Sequence, residues 1–217
     1  IHYDIVGNGP NKTNIQEVIN NFHKLFYDIM HSTWSPNPKW RGTDAAKNPM
    51  DMLIYQEIIW ETIPEVIIEC GTANGGTAIF MADLLHLFFG KGKVISIDIL
   101  DRQKYFQHPF LELITGNSIS DEVIGRIHEL TKNSKSTLVI LDSDHSKNHV
   151  LKEMELYGPL VTIGNYLIVE DTNLNGRPAY ANFGEGPGEA VDKFLPLHPE
   201  FEVDYGREKF LFTFNPG

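Results

Sequence analysis

Apolar side chains recur every three or four positions near the start of the chain. Ile15, Val18, Ile19, Phe22, Leu25, Phe26 and Ile29 share one face, which predicts an amphipathic helix over residues 14–30 packed on the body of the domain. The period then breaks. Residues 31–50 are rich in Pro, Gly and polar side chains and carry Trp34 and Trp40. That is too long for an ordinary connection, so the segment reads as a mobile lid or a linker, and the tryptophans favour the lid. A second helix is expected from Asp51 to Trp60, with Pro49 just before it and the Asp51 carboxylate in the first turn, where the helix dipole stabilises it.

From Glu65 onward, short β-rich runs alternate with longer helical patterns, the signature of parallel βαβ units. Strands are expected over 66–70, 93–98, 111–115, 137–141 and 166–169, and helices near 76–89, 120–130, 146–157 and 188–195. The last two apolar runs, 201–204 and 210–214, flank YGREK and read as an antiparallel hairpin at the sheet edge. The expectation is therefore an α/β, Rossmann-like fold with a seven-stranded, mostly parallel sheet. Ligands of such folds bind beyond the carboxyl ends of the strands.

Composition narrows the function classes. A chain of 217 residues, 41% hydrophobic and 11% aromatic, can bury a core as one globular unit, with residues 1–50 as helix and lid and 51–217 as the main domain. No apolar run is long enough to span a bilayer, and the first residues lack a signal-peptide pattern, so a soluble protein without a membrane partner is expected. The lone Cys70 fits a reducing, cytoplasmic setting and reads as a small core side chain. A net charge of −11 disfavours a nucleic-acid partner and suits a cationic small molecule such as a sulfonium. Whether the chain is a domain of a larger enzyme is left open, as is homo-oligomerisation.

The first strand runs into a glycine-rich turn, VIIECGTANGGT, over residues 66–77. Gly71, Gly75 and Gly76 let the backbone turn tightly and approach a ligand, and Thr72 and Thr77 belong to the same turn. The spacing Glu69-x-Gly71-x-x-x-Gly75-Gly76 departs from the dinucleotide fingerprint G-x-G-x-x-G. It resembles motif I of the S-adenosylmethionine (SAM)-dependent methyltransferases, in which the acid fixes the loop and the methionine end of the cofactor. Asp98 ends the second strand, where it could accept hydrogen bonds from both ribose hydroxyls. Gly116-Asn117-Ser118 follows the third strand and reads as an adenine contact or as a plain turn. Asp142, Asp144, Glu170 and Asp171 gather at the next two strand tips, and such converging carboxylates call for protons or a cation. Oxygen-only ligands point to Mg²⁺, with Mn²⁺ and Ca²⁺ as alternatives.

The segments ECGTANGGTA, ISID, LDSDHSKNHV, YLIVEDT and FGEGPGEAVDKFL together resemble the cephalosporin hydroxylase family from about Lys47 to the C-terminus. Despite that name, the family is similar to metal-dependent SAM O-methyltransferases. The resemblance implies Asp144, Glu170 and Asp171 as metal ligands and puts Asp142 nearer the cofactor's amino group. Methyl transfer needs an ionised, aligned hydroxyl, and the proton needs an acceptor. Lys147 is the first candidate, as in the similar spacing of catechol O-methyltransferase, and His145 is the second, whereas His149 reads as structural. The loop over 172–191 walls the acceptor pocket or is a surface connection. The implied function is Mg²⁺-dependent SAM O-methyl transfer to a hydroxyl of a small molecule, either a sugar moiety or a secondary metabolite. A non-catalytic nucleoside-binding scaffold is the alternative. An oxygenase acting on a β-lactam nucleus fares worse, because no His pair accompanies the acids.

Overall fold

The computed structural model describes residues 5–6, 13–30, 38–102 and 106–210. A short antiparallel pair, β1 (Ile5–Val6) with β2 (Thr13–Asn14), leads into helix α1 (Ile15–Lys24). The Asn14 side chain caps α1 by accepting from the Glu17 amide at 3.2 Å. The expected helix over 14–30 changes character at Leu25, where Leu25–Met30 winds as a π-helix. A second small hairpin joins β3 (Lys39–Trp40) to β4 (Thr43–Asp44) through Arg41 and Gly42, both at positive φ. Trp40 fastens this hairpin to the body by donating from Nε1 to Asp83 at 2.8 Å and packing edge-on against Phe80.

Helix α2 (Pro49–Thr62) starts behind the Asn48 cap and carries Asp51 in its first turn, as expected. The main sheet is β5 (Val66–Cys70), β6 (Lys93–Asp98), β7 (Leu111–Thr115), β8 (Thr137–Leu141) and β9 (Leu167–Val169). Its order is β7-β6-β5-β8-β9, and every pairing is parallel. Strands β5 and β8 are buried at every position, which explains their unbroken apolar runs.

Alternation along the strands sends side chains to two helical layers. Ile68, Ile95, Ile97, Val139 and Leu141 pack with Val123 and Ile127 of α4 (Asp121–Thr131), Met154 and Tyr157 of α5 (Lys147–Tyr157), and Phe194 of α6 (Pro187–Phe194). Cys70 lies in this cluster, fully buried. On the other face Ile67, Val94, Leu138 and Ile140 meet α2 and Met81 and Leu85 of α3 (Gly76–Phe89). No helix among the described residues is long and apolar enough to cross a membrane.

Among the described residues, the expected seven-stranded sheet is corrected to five strands plus two short hairpins. Residues 201–204 form no strand, Tyr205–Phe210 is a 3₁₀ helix, and 211–214 lie outside the described residues. The reason is the polar stretch between the two apolar runs. Asp204 accepts from the Gly206 amide at 2.9 Å and from the Tyr166 hydroxyl at 2.6 Å, while Arg207 lies over the Tyr166 ring and pairs with Glu61. These bonds wind the chain locally and leave β9 at the edge of the described sheet.

The chain steps outward from β5 to β7 and then returns to β8. The order thus reverses between β5 and β8, and the crevice opens where Gly71 and Asp142 follow those strands.

Candidate active site

Gly71 must be glycine. Its φ is +101°, and a Cβ there would stand 1.9 Å from the Asp142 carbonyl oxygen. The Asp142 amide in turn donates to the Cys70 carbonyl at 2.8 Å, so the β5 and β8 tips are locked together. Glu69 is buried under the turn and accepts from Ser96 Oγ, which pairs with Thr72 Oγ1 at 2.6 Å. Burial pushes the Glu69 carboxyl up to about 7. Asp98 accepts from the Ala73 amide and the Leu100 amide, each at 2.8 Å, and so pins the glycine turn from the β6 side.

A cavity of about 480 Å³ opens above this turn, lined by Gly71 to Thr77 on one side. Gly71, Thr72, Gly75, Gly76 and Thr77 are thus brought together as expected. Glu69, Asp98, Asn117 and Ser118 are not among its lining residues. Asn117 caps its own turn through the Ile119 amide at 3.1 Å. Buried Ser118 joins a side-chain chain instead: its Oγ lies 3.1 Å from His149 Nε2, and that nitrogen lies 3.3 Å from buried Glu153. His149 lies outside the cavity lining, and its bond to Glu153 raises its pKa.

The opposite wall carries the charges. Asp142, His145 and Asp171 each offer a ligand atom within 4.8 Å of the others, and His145 Nε2 lies 3.1 Å from Asp171 Oδ2. Asp171 has φ +59°, a left-handed conformation that a short polar side chain tolerates. Lys47, only 6% exposed, places its ammonium 2.7 Å from Asp142 Oδ2 and 3.0 Å from Glu170 Oε2. Burial opposes its charge, but Asp142, Glu170 and Asp171 outweigh burial and hold the ammonium protonated. Burial likewise raises Asp142, against the pull of Lys47. Tyr27 reaches in from the π-helical turn, and its buried phenol hydrogen-bonds Asp171; burial and that carboxylate push it far above the ordinary phenol range.

Two expected site residues, Asp144 and Lys147, lie outside the cavity lining. Asp144 is exposed, and its Oδ1 accepts from the Ser146 amide at 2.8 Å; the Ser146 hydroxyl first, and then this amide, draw its pKa below the usual carboxylate range. Lys147 bonds Glu185 Oε1 at 2.7 Å, and neither residue lines the cavity. Helix α5 begins only at Lys147, so Asp144 lies in the loop ahead of it. Among the described residues, Asp142, His145 and Asp171 bring ligand atoms close together, and Glu170 joins Asp142 through Lys47.

Sequence reasoning missed Lys47 and Tyr27. Lys47 carries only a weak signal, a cation two residues before the α2 proline, and Tyr27 none beyond its place in an amphipathic run. The remaining lining residues include Phe26, Leu174, Tyr180 and Phe183, so the loop after Asp171 does wall the cavity.

Residues 32–217 match the family described as Rhamnosyl O-methyltransferase/CmcI. Among curated relatives, the Rhamnosyl O-methyltransferase of Mycobacterium leprae (strain TN) is 38% identical over 198 residues, covering 89% of this chain and 85% of the relative. Its counterpart in Mycobacterium tuberculosis (strain ATCC 25618 / H37Rv) is 35% identical over 206 residues, covering 92% of this chain and 82% of the relative. Among solved structures, "cmcI-D160 Mg-SAM" superposes with a TM-score of 0.61 at 17% identity, covering 100% of this chain and 88% of that one. The "CmcI-N160 apo-structure" gives 0.64 at 18% with the same coverage. At those identities the structural likeness establishes the Rossmann-like methyltransferase fold. With the match spanning both the glycine turn and the acid cluster, the chain belongs to the Rhamnosyl O-methyltransferase/CmcI family.

Proposed function

We propose that this protein transfers the methyl group of SAM to a hydroxyl of a deoxysugar, with Mg²⁺ at the acid cluster. The observation that carries the reading is one cavity holding the Gly71–Thr77 turn on one wall and Asp142, His145 and Asp171 on the other. The family and the relatives' names support methyl transfer to a sugar, and the neighbour described with Mg and SAM supports the two cofactors.

The donor set fits a hard divalent ion. Asp142 and Asp171 supply oxygens within reach of one another, Glu170 is adjacent, and all three lie at the strand rim. When bound, such an ion lowers the pKa of a coordinated hydroxyl and offsets the clustered negative charge. Asp142, Asp171 and Glu170 are the residues that would hold it.

The protein's own groups do the rest. The glycine turn offers backbone N–H groups and no side-chain bulk to the donor, and Glu69, Ser96, Thr72 and Asp98 keep that turn rigid. His145, a nitrogen donor poorly suited to Mg²⁺, is the proton acceptor. Its Nε2 faces Asp171, which orients the ring and leaves Nδ1 to take the acceptor's proton. Methyl transfer from a sulfonium to the resulting alkoxide then needs alignment more than activation.

Incubation with methyl-labelled SAM, MgCl₂ and p-nitrophenyl α-L-rhamnopyranoside tests the reading. The expected result is labelled glycoside with MgCl₂ and none with EDTA. Failure to bind SAM by calorimetry with or without Mg²⁺ sinks it.

A further inference from the structure

The stretch from Phe22 to Asp28 precedes residue 32, where the family match begins, yet it reaches the centre of the site. Phe26 and Tyr27 line the same cavity as the glycine turn and the acid cluster. Three contacts fasten the stretch to the loop after Asp171. His23 Nδ1 lies 3.1 Å from Asn173 Nδ2, Asp28 Oδ1 accepts from the Tyr180 amide at 2.7 Å, and the Tyr27 ring meets Tyr180 edge-on at 5.4 Å. Tyr27, Leu174 and Ala179 form a separate apolar cluster with Phe22, Phe26 and Tyr180 packed against it. The change from α to π winding at Leu25 alters which side chains face the cavity, a use of π-turns common at functional sites.

The chemistry of this wall is uneven. Phe26, Tyr180 and Phe183 give apolar surface on one side, and the Tyr27 hydroxyl bonds Asp171 on the other. A ligand that fits needs one face of C–H groups and one hydroxyl aimed at the carboxylates, as a 6-deoxyhexose has. We infer that the segment 22–28 is the acceptor-recognition element of this site, with Phe26 packing on the apolar face of a deoxysugar and Tyr27 the positioning residue that aims Asp171. This rests on the methyl-transfer reading above and adds which residues choose the acceptor.

The test uses the full chain with SAM, MgCl₂ and p-nitrophenyl α-L-rhamnopyranoside. Phe26→Ala should raise the KM for the glycoside about tenfold, the upper range of one lost ring contact, with kcat and SAM affinity unchanged. Tyr27→Phe keeps the ring and removes the hydroxyl, and should weaken Mg²⁺ binding measured calorimetrically without acceptor by about tenfold. Phe26→Leu serves if the alanine variant does not fold. Unchanged glycoside KM and unchanged Mg²⁺ affinity in folded variants overturn the inference while leaving methyl transfer standing. Wild-type protein that holds SAM but neither binds nor methylates the glycoside overturns it too. Wild-type protein that binds no SAM removes the reading beneath it.

Discussion

The Glu69 side of the strand rim closes on itself through neighbours, whereas the Asp142–Asp171 side is held by groups drawn from across the chain. Glu69, Thr72, Ala73, Ser96 and Asp98 all belong to one βαβ unit, and their bonds span at most 27 positions. On the other side Lys47 reaches Asp142 across 95 positions, and His23 reaches Asn173 across 150. The donor wall is a steric construction with a buried acid that holds its proton near neutrality. The acid wall is an electrostatic one, with three carboxylates set against a single buried ammonium. The first should fail when a clash is introduced, the second when a charge is removed.

Altering the acid wall should have the largest effect. Asp171→Asn is expected to lower kcat/KM for methyl transfer on the order of a thousandfold, since metal binding and His145 orientation go together; steady-state kinetics with a Mg²⁺ titration reads it. Lys47→Met leaves buried Asp142 and Glu170 without their counter-charge. It should lose about 3–5 kcal/mol in urea unfolding without divalent ion, and part of the loss should return when MgCl₂ is added. Equal stability of the variant and wild type in EDTA would show that the ammonium does not hold that wall together.

On the donor wall, Gly71→Ala meets the Asp142 carbonyl at 1.9 Å in a left-handed backbone, and should destabilise by more than about 2 kcal/mol. Mg²⁺ should not restore it, which separates the two walls. Glu69 gives a pH signature. Its folded value of about 7 lies above the ordinary 4.5, so the folded chain keeps a proton that the unfolded chain has released. Its stabilising contribution is therefore full below about 4.5 and is lost as pH rises through about 7, on the order of 3 kcal/mol in all. Glu69→Gln should flatten that slope in unfolding curves measured from pH 4.5 to 7.5. The smallest effects belong to Asp144→Asn and Lys147→Met, each expected to change turnover by less than about threefold. A hundredfold loss in either would return the ligand and base roles to those residues.

The same contrast explains how much was legible in advance. Strands β5 to β8, α3 and the glycine turn are local patterns, because buried parallel strands are unbroken apolar runs and glycines mark a forced φ. The acids at the tips of β8 and β9 were visible as a group. Which of them face the cavity was not, because that depends on where α5 starts. Asp144 and Lys147 look paired by spacing, yet α5 starts only at Lys147, and the amide of its cap Ser146 donates to the Asp144 carboxylate. The C-terminal hairpin failed for a related reason, since Asp204 and Arg207 found partners in Tyr166 and Glu61.

Sequence alone determined the Rossmann-like alternation, the tight turn after Cys70, the clustering of carboxylates at neighbouring strand ends and the family. These follow from periodicity, from the conformational demands of glycine and from residues that are near one another along the chain. Tertiary structure alone decided that Lys47 sits between Asp142 and Glu170, that His145 rather than Lys147 faces Asp171, and that Tyr27 completes the wall. Those are contacts between distant segments, and a side chain's direction in them is fixed by packing that no local pattern records.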